Sequence, residues 1–104
     1  MRWRYCRGRY VNISRLCRLL TDLGTAVLID ALLRAKKDGN DVINLSLGGA
    51  ASWGFDSVSL VASRIAETGV TVVVSAGNAG EEGAWYGSSP SNGADTISVA
   101  SVDK

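Results

Sequence analysis

Residues 38–49, DGNDVINLSLGG, and residues 70–80, VTVVVSAGNAG, decide how this chain folds. The run 42–47 is short and apolar, bounded by Gly39-Asn40 on one side and Gly48-Gly49 on the other, which predicts a strand with little exposed surface. Residues 70–74 are almost continuously β-branched, the pattern of a strand in the middle of a sheet covered on both faces. Between them Asp56 is a good N-cap, and Val58, Val61, Ala62, Ile65 and Ala66 fall on one helical face before Gly69 ends it. Upstream, Val27, Leu28, Ala31, Leu32 and Ala35 recur at helical spacing. Lys36 and Lys37 suit the negative end of the helix dipole, so a helix is predicted over 26–37. Downstream, a stretch of roughly twenty residues rich in Gly, Ser and Asn separates Ser75 from a last strand over 96–102, and a connection that long tends to be functional. The order helix, strand, helix, strand, loop, strand gives an α/β fold, part of a three-layer sandwich with a largely parallel sheet. Ligands of such sheets sit beyond the carboxyl ends of the strands, here residues 46–49 and 75–80.

With 104 residues the chain forms one domain at most, with a modest core. A hydrophobic share of 46% against 20% charged residues excludes wholesale disorder, a coiled coil and a collagen-like repeat. No apolar run approaches roughly 18 residues, so no membrane-spanning helix is expected. There is no histidine, which closes every imidazole-base mechanism, the Ser-His-Asp relay included, to these residues acting alone.

The net charge of +1 conceals an asymmetry: residues 1–20 hold six arginines and no acid, while the rest holds five basic and ten acidic groups. The leading reading of residues 1–23 is a basic, disordered or non-native arm preceding an organised part over 24–104. The competing reading, nucleic-acid binding by the arginines with stacking on Trp3, Tyr5 and Tyr10, predicts a steep salt dependence. Arg15 and Arg18 interrupt the only apolar stretch a secretory signal could use, and the segment lacks the Ser content of a transit peptide. Cys6 and Cys17 have no His and no second Cys pair to complete a zinc site, so no metal is expected; a disulfide between them is open. The sequons at Asn12 and Asn44 carry little weight, the second lying inside a predicted strand.

At the first strand exit, Ser46, Leu47, Gly48 and Gly49 let another backbone approach closely, which suits pairing with an extended peptide as well as a plain turn. The second exit, Ser75-Ala76-Gly77-Asn78, sets one amide side chain among small residues. Asn78 has two N–H donors and no charge, which suits a transient oxyanion as well as a structural turn. Gly77, Gly80 and Gly83 match neither the dinucleotide nor the P-loop spacing, no Lys follows, and Glu81 and Glu82 repel a phosphate, so no nucleotide cofactor is expected.

Taken in order, DGNDVINLSLGG, VTVVVSAGNAG and SSPSNGADTISVASVD (88–103) resemble the subtilisin-like serine peptidases, most closely the fungal secreted subtilases, over about residues 24–104. The resemblance implies protein hydrolysis in the parent family, with Ser46, Leu47 and Gly48 pairing with the substrate backbone. It further implies that Ala76, Gly77 and Asn78 wall the pocket for the residue before the scissile bond, that Asn78 donates to the oxyanion, and that Ser89-Pro90 is cis. The family's triad blocks, Asp-Thr/Ser-Gly, His-Gly-Thr and Gly-Thr-Ser-Met-Ala, are not in these residues. The leading expectation is therefore a piece of a subtilase catalytic domain, inactive alone, whose partner is a peptide or protein substrate and not a nucleic acid or a membrane. The alternative is a non-catalytic remnant that grips extended peptides. Self-association through uncovered sheet edges is a further expectation.

Overall fold

A computed structural model of the chain describes residues 9–13, 24–50, 56–83 and 86–102. Its centre is a four-stranded parallel sheet in the order β1-β2-β4-β6, formed by Tyr10–Asn12, Val42–Leu45, Thr71–Ser75 and Ile97–Val99. Helix α1, Thr25–Lys37, leads into β2, and helix α2, Ser57–Glu67, crosses from β2 to β4. Two short strands, β3 (Gly49–Ala50) and β5 (Ser88–Ser89), pair antiparallel beyond the carboxyl ends of β2 and β4. The fold is thus α/β with a mostly parallel sheet, as the alternating periods predict.

Both helices form where the apolar spacing places them. Leu32 and Ala35 of α1 and Val58, Ala62 and Ile65 of α2 are buried against Ile43, Leu45, Val72 and Val74. The basic residues Arg34, Lys36 and Lys37 occupy the last turn of α1, where the carbonyl ends of the helix favour positive charge. Strand β4 differs from expectation on one face: Val72 and Val74 are buried, but Val73 is only half-buried and Thr71 is exposed. Side chains alternate across a strand, and the helices cover the face that carries Val72 and Val74. The last strand is also shorter than residues 96–102, because only Ile97, Ser98 and Val99 find partners on β4.

Residues 9–13 depart from the reading of 1–23 as an arm outside the fold. Tyr10, Val11 and Asn12 pair in register with Val42, Ile43 and Asn44, and Ile13 is fully buried in the core. Arg9 anchors this edge: its backbone N–H donates to Asp41 Oδ2 at 2.7 Å, and its carbonyl accepts from the N–H groups of Asp41 and Val42. Its guanidinium donates to the Asp38 carbonyl at 3.1 Å. Three residues are too few to show a period, and the pairing partner that makes them a strand lies some thirty residues on. Trp3, Tyr5, Cys6 and Cys17 lie outside the described residues.

The loop after β4 is tied to α2. Asp56 Oδ2 caps the helix by accepting from the Val58 N–H at 3.3 Å, and it accepts from the Ser89 hydroxyl as well. Ser59 Oγ donates to Asn92 Oδ1 at 2.8 Å. Ser89-Pro90 is cis, as the resemblance implies, and Pro90 is fully buried. Gly48 and Gly77 bring the loop against the sheet. A Cβ on Gly77 would lie 2.8 Å from Ser88 Cβ, and one on Gly48 would collide with Ser88 Oγ and the Ser89 carbonyl. Gly77 also has φ +99°, which disfavours any side chain.

Two substitutions test this arrangement. Asp56→Ala loses both the cap and the Ser89 bond and is expected to lower stability by about 1–2 kcal/mol in urea unfolding, whereas Asp56→Asn, which keeps a capping oxygen, costs less. Gly48→Ala forces β5 away and is expected to cost about 1–3 kcal/mol by the same measurement; an unchanged midpoint would show that the loop does not pack against this glycine.

Candidate functional site

Parallel pairing sets the site. Leu45 is in register with Val74, so residues 46–49 and 75–78 leave the sheet side by side at its carboxyl edge. There the two exits and the returning loop enclose an open cavity of about 420 Å³. Ser46, Leu47, Gly48 and Gly49 line one side, and Ser75, Gly77, Asn78 and Ala79 line another. Glu82 and Tyr86 complete the wall and Ser88 reaches it from β5.

Each lining element has a local cause. Asn44, facing the half-covered side of β2, donates from Nδ2 to Ser46 Oγ at 3.1 Å and so orients the first exposed residue of the exit. The positive φ of Gly77 turns the chain sharply after β4, which carries Asn78 off the strand line. Beyond it, Gly80–Glu82 forms a single 3-10 turn closed by the Glu82 N–H on the Ala79 carbonyl at 3.1 Å. Ser88 is buried, its N–H on the Ala76 carbonyl at 3.2 Å and its hydroxyl within reach of the Gly49 carbonyl at 3.4 Å.

Of the residues singled out from sequence, the structure brings Ser46, Leu47, Gly48, Gly49, Gly77 and Asn78 to one cavity. Ala76 stands behind them: its N–H donates to the Val99 carbonyl at 2.8 Å and its carbonyl serves Ser88, so it supports the wall through β5 and β6. Asn78 is exposed, and among the described residues its side-chain amide has no hydrogen-bond partner. A turn asparagine commonly satisfies that amide on local backbone. Here the N–H donors are not taken by described protein groups and are available to a bound oxygen.

Ser75 and Ala79 fall within the exit expected at 75–80, whereas sequence reading did not single out Glu82, Tyr86 and Ser88 as lining residues. The signal for the last three was the length of the Gly/Ser loop, which marks a functional segment without saying which of its side chains turn inward. No group of three or more His, Cys, Asp and Glu side chains is placed to hold a metal among the described residues. Nor is any described helix long and apolar enough to cross a membrane.

The chain is similar to "Subtilisin-like protease 2" of Pseudogymnoascus destructans, at 45% identity over 67 residues that cover 64% of this chain and 16% of that protein. "Subtilisin-like protease 1" of the same organism matches at 43% over 67 residues, with the same coverage. The matched segment is thus 16% of the length of these curated relatives. Residues 10–104 match the family model of the Subtilase family, a span that takes in β1 as well as both strand exits, and the chain belongs to that family.

Proposed function

We propose that this chain supplies the substrate cleft and the oxyanion donor of a subtilisin-like serine endopeptidase, and that these residues alone do not hydrolyse peptides. The observation that carries the reading is the unpaired amide of Asn78 in the same cavity as the exit at 46–49. An extended substrate lies along Ser46, Leu47 and Gly48, where main-chain pairing gives affinity without demanding a particular sequence. Its scissile carbonyl is turned toward Asn78, whose N–H groups meet the oxygen as negative charge develops during attack. Because the donor is already oriented and uncharged, it stabilises that oxygen without reorganising. The nucleophile, its base and the base's orienter come from the family's triad blocks, for these residues contain no histidine.

The same cleft favours one second reading, a module that binds extended peptides without cleaving them. Ile97 and Val99, about half-exposed on the edge strand β6, support association between copies along that edge.

Two measurements test the proposal. The chain alone is expected to show no peptide hydrolysis above background, yet an extended peptide titrated by fluorescence anisotropy should saturate; hydrolysis by the chain itself would refute the first half of the proposal. In a catalytic domain completed with the triad blocks, Asn78→Ala should lower kcat by about a hundred- to a thousandfold, the established cost of removing this donor in a subtilisin, and change KM far less. Equal losses in kcat and in affinity would make Asn78 a turn residue.

A further inference from the structure

From the charge and shape of the cavity wall we infer that the cleft selects a cationic substrate side chain, lysine or arginine, through Glu82. The inference rests on the peptide-cleft reading above and adds the class of residue that the cleft prefers. Among the described residues Glu82 is the only acidic side chain that lines the cavity, and no described Lys or Arg lines it to offset that carboxylate. The remaining lining side chains are small, apolar or hydroxyl-bearing apart from Asn78 and Tyr86, so none competes for an ammonium or guanidinium.

Tyr86 strengthens the assignment. Its ring edge lies 4.0 Å from where a Cβ on Gly83, the residue after Glu82, would stand, and its N–H donates to the Gly83 carbonyl at 3.3 Å. Acid and aromatic residue thus line the same cavity, and both are exposed. A carboxylate and an aromatic ring lining one cavity favour cations over anions there. The backbone of the 3-10 turn is fixed by the Glu82 N–H bond to the carbonyl of Ala79, the neighbour of Asn78. Selection by Glu82 and charge stabilisation by Asn78 thus act on one bound peptide from one short segment.

The test uses the full chain and three labelled octapeptides identical except for one central residue, Lys, Met or Glu. Anisotropy titrations at low ionic strength should give the order Lys, then Met, then Glu, with Lys about fivefold tighter than Met, the scale of an exposed ion pair, and a preference that shrinks with added salt. Glu82→Gln should bring the Lys and Met peptides to equal affinity, and Glu82→Lys should reverse the order in favour of the Glu peptide. Glu81→Gln, outside the cavity lining, should leave the preference intact. Circular dichroism matching the parent chain verifies that each variant is folded, as expected for substitutions at exposed positions. Equal affinity for Lys and Met in the parent chain, or a preference that survives Glu82→Gln, would overturn the inference and leave the peptide cleft standing. Absence of saturable binding for all three peptides would overturn the cleft itself.

Discussion

The parallel register of β2 on β4 is the constraint on which the rest of the molecule depends. Val42, Ile43, Asn44 and Leu45 meet Thr71, Val72, Val73 and Val74 one for one, so both strands end at the same level. A slip of one residue would exchange buried for exposed side chains on either strand, taking Ile43 and Leu45 or Val72 and Val74 out of the core. It would also separate the two exits. Hydrophobic burial beneath the sheet is therefore what aligns Ser46 and Gly48 with Gly77 and Asn78 above its edge.

A second tier of contacts decides the shape of the space above that edge. The loop returning from β4 is long, and nothing in its composition would hold a long Gly- and Ser-rich segment in one place. Asp56, the N-cap of α2, and Ser59 in its first turn hold it through Ser89 and Asn92. Asp56 thereby serves two ends, since the oxygen that satisfies an orphan N–H of the helix also fixes the strand that closes the cavity. Gly48 and Gly77 complete the closure by having no side chain to oppose Ser88.

The described residues leave no buried side-chain nitrogen or oxygen without a partner. Asn78 differs by its place: it is exposed at the cavity, and its amide has no protein partner among the described residues, so a ligand can reach it. The serines of the same region behave differently. Ser59, Ser63, Ser89 and Ser91 all spend their hydroxyls on neighbouring backbone or side chains and so form the frame of the site.

Period and punctuation in the sequence determined the two helices, the two central strands, the α/β class and the location of a site at the strand exits. Those features are local: apolar spacing, an Asp cap and Gly turns act over a few residues and leave a trace there. Asn78 and the residues at 46–49 were legible for the same reason, as small or polar residues immediately after apolar strands. What only the tertiary structure decided is long-range. Tyr10–Asn12 becomes a strand because β2 offers it an edge and Arg9 locks to Asp41, 32 residues away. Ser88 enters the cavity because Gly49 and Ala50 pair with its strand across nearly forty residues of chain. Glu82 and Tyr86 join the wall because the loop folds back on the sheet, and no pattern within a loop records which of its side chains will face inward once distant residues close around it.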